Sequence, residues 1–286
     1  MNQTLPKQII KPNARFDCGM ILCFKQAIKN QINRKDMIYQ LFRKEFLANY
    51  RKSFLGSAWI IITPLTGMIS WVYLHYAQII QPGNVGVPYP AYVLVGTLVW
   101  GLFIRISNNF MNALQSYRFL IQSINFPHEV IFGVTLLLIL AEFFISFAIS
   151  TILMISFGIE LSCSIFYFPF VFLPLLFFAM AIGLLVSVLS VVSYDMRQMV
   201  TAFLRLLMFV VPIIYSTDVV TNPYIKTLIY YNPFTYLACS ARDIVLFGKL
   251  YSLQGYLISS VLSCIILVFA WRIFYVSEDI ILERII

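Results

Sequence analysis

The sequence predicts an all-α integral membrane protein with six transmembrane helices. Three observations carry that reading. Of 286 residues, 60% are hydrophobic and only 11% charged, whereas a soluble domain carries about a quarter charged. Six apolar stretches approach or reach the roughly 20 residues that cross a bilayer. The whole formal net charge of +8 resides in residues 1–55, which hold eleven of the twenty cationic side chains and three of the twelve acidic ones. A basic lead-in feeding a long apolar run reads as a cytosolic segment facing anionic lipid headgroups. It does not read as a nucleic-acid surface, because no basic patch with interleaved stacking aromatics stands in a soluble domain.

Residues 1–33 read as a cytosolic N-terminal tail with no cleavable signal, since 1–20 are polar and Met20–Phe24 is too short for an h-region. Over 34–56, Ile38, Phe42, Phe46, Tyr50 and Phe54 recur every fourth residue, with Leu41 and Leu47 beside them and Arg43, Lys44, Arg51 and Lys52 flanking. That pattern predicts an amphipathic helix lying along the membrane surface, and it also fits an ordinary basic tail. At Gly56-Ser57-Ala58-Trp59 the surface segment turns into the first span. The predicted spans are 57–80, 91–107, 130–157, 168–192, 199–215 and 256–274. Loop 81–90 is uncharged and loop 158–167 carries only Glu160, whereas Arg118, Arg197, Arg272 and Arg284 follow the even spans. Positive charge therefore places both termini in the cytosol. The long segment 215–255 carries Lys226, Arg242 and Lys249, but long loops obey the charge rule weakly.

Two non-spanning stretches are patterned. Phe110, Leu114, Tyr117, Ile121 and Ile124 make an apolar helical stripe, with polar residues between its members. This predicts a cytosolic amphipathic helix at about 109–125 that packs on the membrane surface, on the bundle or on a partner. Pro127 then suits the first turn of span three. On the outer side, about 218–248, Asn232 followed by Pro233 marks a helix start, running to about Phe247 and ending near Gly248. A preceding piece at 223–229 is also helical in pattern. Two short apolar helices predict a re-entrant hairpin or an outer lid.

Catalytic chemistry is absent from the pattern. There is no G-x-x-x-x-G-K-[ST], no G-x-S-x-G and no H-E-x-x-H, and His75 and His128 stand apart from any ligand cluster. No metal site and no catalytic residue are assigned. The five cysteines are scattered. Cys163 and Cys239 fall in predicted outer segments, and a bridge between them is left open. Arg105, Glu142 and Arg205 lie within or at the edge of spans, where an unpaired charge is costly. Glu142 and Arg205, both near mid-span, are expected to pair across the bundle, as a structural bridge or as part of a polar pathway.

Taken in order, these pieces resemble the transmembrane subunit of ABC-2-type polysaccharide exporters of the O-antigen and teichoic-acid type. Phe54-Leu55-Gly56 with Trp59 and Pro64-Leu65 resembles that family's approach to span one. Leu120-Ile121 through Phe126-Pro127-His128-Glu129 is similar to its segment before span three, although His128 stands where arginine is usual. Val211-Pro212-Ile213-Ile214-Tyr215 resembles the end of its span five, with Val211 in place of serine. Asn232-Pro233-Phe234-Thr235 with Arg242 resembles its outer helix, and Ile280 through Ile285 the ending of some O-antigen members.

The resemblance implies a multi-pass protein of the bacterial inner membrane that works as a homodimer with two copies of a separate ATPase. That partner would bind ATP and Mg, leaving no cofactor on this chain. The cargo would be a lipid-linked polysaccharide. Phe42, Phe46, Arg51, Phe54, Gly56 and Trp59 would form the interface helix and substrate access. Leu114, Tyr117, Ile121, Phe126, Pro127, His128 and Glu129 would form the ATPase coupling region. Tyr215, Asn232, Pro233, Phe234 and Arg242 would form the outer gate. The six-helix domain would cover 57–274, with 275–286 a cytosolic tail. Alternatives are an ABC-2 permease for another lipid or a drug, and a membrane enzyme acting on lipid-linked sugars; the latter needs clustered acids that are missing.

Overall fold

The computed structural model describes residues 19–51, 56–123, 128–159, 162–193 and 195–285. Among these, regular structure is helical throughout. Helices α1 (Met20–Asn33) and α2 (Lys35–Arg51) precede the bundle. The predicted spans are occupied by α3 (Trp59–Tyr76), α4 (Tyr89–Ser116), α6 (Glu129–Ser156), α7 (Phe168–Val192), α8 (Asp195–Val210) and α11 (Leu253–Ile285). Short α5 (Arg118–Ser123) follows α4; α9 (Pro223–Tyr231) meets α8, and α10 (Pro233–Leu246), joined to α9 at Asn232, packs on α4, α7 and α11.

Four of these elements are long and apolar enough to cross a membrane: α4 continued by α5, α6, α7 with the turn before it, and α11. Helix α3 has 18 residues and α8 has 16. They rise about 27 and about 24 Å, somewhat less than the roughly 30 Å hydrocarbon core.

Helix α7 is the centre of the bundle, with α4, α10 and α11 packed around it. Its closest approach is to α4 at Gly183, where an added Cβ would lie 2.3 Å from the Cβ of Phe110. Aromatic rings tie the other elements together. Phe143 and Phe147 of α6 stack with Phe168 and Phe172 of α7, the Phe147–Phe168 centroids 4.6 Å apart. Phe132 of α6 meets Phe110, Trp271 and Phe274, joining α4, α6 and α11. Phe24 of α1 presses edge-on against Trp271 at 6.3 Å.

The structure redraws five boundaries. The second span does not stop at 107, because α4 runs on to Ser116. Phe110, Met111, Ala113 and Leu114 are buried, so tertiary burial carries the helix through its polar residues. The stretch predicted as a separate helix at 109–125 is therefore the end of α4 plus α5, interrupted at Tyr117. The fifth helix begins at Asp195 and ends at Val210, short of the proline at 212. The segment read as an N-terminal tail contains α1, with Cys23 and Ala27 buried against α6 and α11. The segment read as a C-terminal tail continues α11 to Ile285.

Gly183→Ala is expected to force α4 and α7 apart and destabilise the protein by about 1–3 kcal/mol. Gly101→Ala, whose Cβ would meet nothing within 4 Å, should not. Thermal melts of the two purified variants decide this; equal melting temperatures would count against the Gly183 contact.

Candidate functional site

The α9–α10 end is built on capping chemistry. Asn222 Oδ1 accepts from the amide of Tyr224 at 2.9 Å, and Asn232 Oδ1 from the amide of Phe234 at 3.1 Å. Each asparagine is followed by proline, whose missing N–H would have been an orphan in the first turn. Phe234 reaches into the bundle between Phe103 of α4, at 5.1 Å, and Phe178 of α7, at 4.6 Å. Phe103 lies about 21 Å along α4 from Tyr89, so the start of α10 dips well below the end of the bundle. Helix α10 ends at Leu246, and Gly248 adopts the left-handed φ of +69° that the chain reversal requires.

Arg242 is only 4% exposed. Its Nη1 donates to the carbonyls of Pro212 at 2.6 Å and Ile213 at 3.2 Å, and its Nε to Asp243 Oδ1 at 2.8 Å. The Tyr92 ring lies 4.1 Å from the guanidinium carbon, within cation–π range. The physical need is plain: beyond the end of α8 at Val210 the chain makes a buried turn, and the carbonyls of that turn have no helical partner. Arg242, from a different helix, supplies the donors. Gly96 of α4 admits the same turn, since a Cβ there would sit 2.6 Å from the Ile213 carbonyl oxygen. Tyr92 and Tyr215 complete the junction. The Tyr92 hydroxyl donates to the Tyr215 carbonyl at 3.2 Å, and the Tyr215 hydroxyl donates to the Phe209 carbonyl at 2.9 Å. Burial raises the Asp243 carboxyl, while Arg242 pulls it down. Burial pushes the Cys239 thiol up to about 12. Cys163 and Cys239 are both free thiols, the first exposed and the second buried, so the bridge left open by the sequence is not formed.

The opposite end carries the polar groups of α4. Arg105 forms an ion pair with Glu142 of α6. The expected Glu142–Arg205 pair is not made, because α8 packs on α4 and α7 while α6 lies against α2, α3 and α4. Arg205 stands on the exposed side of α8. Arg197, at the start of α8, is buried and donates to Asn112 Oδ1 at 2.9 Å and to Gln115 Oε1. Thr201 donates to Asn108 Oδ1 at 3.0 Å. The polar residues between the apolar stripe of α4 thus dock α8.

The Arg105–Glu142 pair separates two cavities. One, of about 480 Å³, runs between α3, α4 and α6 and is lined by Trp59, Pro64, Gly67, Thr97 and Gly101. The other, of about 210 Å³, continues past the pair and is lined by Glu45, Asn109, Ser116, Tyr117 and Thr135. Tyr117 donates to Glu45 across this second cavity.

The remaining predicted residues are placed as follows. Phe42 and Phe46 are half-buried on α2, their rings 5.5 Å apart. Gly56 takes φ +49° in the turn that opens α3, and Trp59 is about half exposed beside it. Phe54, Phe126, Pro127 and the side chain of Arg51 lie outside the described residues. Leu114 and Ile121 are buried within the chain, and Tyr117 is half-buried. The apolar stripe therefore faces the bundle, one of the three surfaces its pattern allowed, because α4 is long enough to bury it. The surface that α5 leaves outward carries Arg118, Gln122 and Phe119, the last 82% exposed. His128 and Glu129 are buried at the start of α6, where Glu129 Oε1 accepts from Asn30 of α1 at 3.4 Å. Sequence reasoning missed α1. Its inward positions, Cys23, Ala27, Asn30 and Gln31, keep helical spacing but are too small or too polar to register as an apolar stripe.

Comparison with known proteins extends this geometry. The family described as "ABC-2 type transporter" matches residues 37–246. An O-antigen export system permease protein RfbA from Myxococcus xanthus is 24% identical over 221 residues, covering 77% of this chain and 84% of that protein. A protein of the same description from Klebsiella pneumoniae is 21% identical over 217 residues, covering 75% of this chain and 82% of that protein.

Arg242→Ala leaves the Ile213 carbonyl and the Asp243 carboxylate without the guanidinium's donors, and the Pro212 carbonyl with only the Cys239 thiol, a loss of about 3–5 kcal/mol. Arg242→Ala with Asp243→Asn is expected to recover part of it. Melting temperatures of the single and double variants are the measurement, and a wild-type value for Arg242→Ala would exclude the junction as a stabilising element.

Proposed function

The chain belongs to the ABC-2 type transporter family, and from that premise we propose that it is the membrane-spanning permease subunit of an ATP-driven exporter of lipid-linked, O-antigen-like polysaccharide. The observation that carries this reading is the extent of the match. Relatives described as O-antigen export permeases align over 82–84% of their own length. The sequence has no phosphate-binding loop of its own, so a separate ATPase, in two copies, supplies ATP and Mg chemistry and the driving force.

In this reading α3 and α8 are the first and fifth spans, making six, and both termini are cytosolic. Met199, Phe203, Leu206 and Phe209 of α8 and Ile69 and Tyr73 of α3 are exposed apolar side chains. Trp71 of α3 meets Phe209 of α8 edge-on at 6.2 Å, so the two helices join at one edge of the bundle. A second copy of the chain covers this face, and the cargo passes between the copies. Arg205, on the exposed side of α8, then faces the path, where a charge is hydrated rather than buried in lipid. Helix α2 lies along the cytosolic membrane surface among anionic lipids. The exposed edge of α5, with the start of α6, receives the ATPase. The α4–α8 contacts at Arg197 carry its movement to α8 as a rigid-body shift, and the α9–α10 hairpin closes the outer side. The chain catalyses no reaction and binds no nucleic acid.

Deleting the gene should abolish surface polysaccharide and trap lipid-linked glycan inside the cell; unchanged surface polysaccharide sinks the reading. Phe119→Asp changes a side chain that is 82% exposed. It is expected to lower ATPase recovery with the purified permease by about tenfold or more and to block export. Normal recovery would move the docking surface elsewhere.

A further inference from the structure

We propose that α1 binds anionic phospholipid of the cytosolic leaflet, with Ile21, Ile28 and Ile32 in the acyl boundary and Lys25 and Lys29 on the headgroup phosphates. The inference rests on the orientation in the export reading, which puts both termini in the cytosol, and it goes beyond that reading. The match to the family begins at residue 37, after α1 has ended at Asn33.

The side chains around α1 are ordered as a membrane interface requires. Cys23 and Ala27 are buried, against α6 and α11. At about 100° per residue, Ile21, Ile28 and Ile32 fall within about 40° of one another on one flank. Ile21 is 68% exposed and Ile32 63%. Lys25 and Lys29 come next around the helix, and beyond them Gln26 and Asn33, all exposed. Apolar, cationic and neutral polar sectors thus follow the order of hydrocarbon, headgroup and water. Only Met20 and Leu22, at the helix start, depart from it.

The packing contacts orient these sectors independently. Phe24, on the isoleucine side of the buried face, meets Trp271 edge-on. Trp271 lies about 27 Å along α11 from Leu253, near the inner edge of a roughly 30 Å hydrocarbon core. Asn30, on the amide side, donates to Glu129 Oε1 at 3.4 Å, and Gln31 Nε2 donates to the Glu129 carbonyl at 3.4 Å. Glu129 opens α6 about 4.5 Å shallower than Phe132, whose ring lies 6.2 Å from that of Trp271. The isoleucine flank therefore points toward the bilayer and the amide flank toward the cytosol.

Charge selects the lipid. Residues 19–35 hold Lys25, Lys29, Arg34 and Lys35 and no acidic side chain. Among the described residues neither Lys25 nor Lys29 meets a carboxylate. Each lysine near an anionic surface is worth about fivefold in binding. An anionic leaflet presents hydrocarbon and negative charge side by side, in the order that α1 carries their complements.

The permease–ATPase complex is reconstituted in nanodiscs of mixed phosphatidylcholine and phosphatidylglycerol. The probe is a trace of either lipid with a photoreactive group near the glycerol end of its acyl chain. Peptide mapping is expected to find phosphatidylglycerol on the Ile21–Ile32 flank about tenfold more often than phosphatidylcholine. Lys25→Gln with Lys29→Gln should bring the two lipids to within about twofold of each other, whereas Lys25→Arg with Lys29→Arg should keep the preference. High salt should weaken it. Labelling at Leu257 and Val261, exposed apolar positions of α11, should be the same in every variant and reports that the bundle is intact.

Equal labelling of α1 by both lipids in the unaltered complex would mean apolar contact without charge recognition. An unlabelled α1 beside a labelled α11 would mean that α1 faces water. Labelling that appears only after the ATPase is stripped away would make α1 a protein-docking face. Each of these overturns the proposal. A deletion strain that loses surface polysaccharide while α1 stays unlabelled overturns the lipid surface alone and leaves the export reading standing.

Discussion

A turn buried inside a membrane protein has no water to satisfy its carbonyls, and this end of the molecule depends on how that is solved just beyond Val210. Arg242 reaches from α10 to the Pro212 and Ile213 carbonyls. Asp243 and the Tyr92 ring balance its charge. The three elements that meet there, α4, α10 and the turn after α8, cannot move independently without exposing a buried charge or an orphan carbonyl. Helix α10 is thereby joined to α8, the helix that carries the exposed apolar face.

The other end obeys the same rule with different partners. Arg197 is buried and donates to Asn112 and Gln115, and Arg105 pairs with Glu142. The two arginines serve different ends. Arg197 is enclosed between α8 and α4 and fastens them. Arg105 is half exposed where it meets Glu142. Burial thus separates an enclosed charge from a half-exposed one, a distinction that residue type cannot make.

Much of the architecture was legible in the sequence because it follows from local rules. All six predicted spans are helices, and the Asn-Pro start and Gly248 end of α10 come from backbone chemistry that does not depend on neighbours. What was not legible shares one cause. The ends of α4, the existence of α1 and the inward direction of the Leu114–Ile121 stripe all depend on which surface is covered by another part of the chain. Polar residues such as Asn108 and Asn112 interrupt hydropathy, yet here they face a helix that needs them. The Glu142–Arg205 expectation failed for the same reason: depth in the membrane was readable, but rotational position in the bundle was not.

By itself, the sequence determined that this is a helical membrane protein with a basic lead-in and two asparagine-capped helix starts at Asn222 and Asn232. Those properties are sums over composition or consequences of residues adjacent in the chain. Only the tertiary structure decided that Arg105 meets Glu142, that Arg242 meets the turn after α8, and that a cavity lies between α3, α4 and α6. These are relations between residues about 30 or more positions apart in the chain. The choice among charged partners is set by how the helices rotate and cross when their apolar faces close, because an ion pair acts only at the range that packing allows.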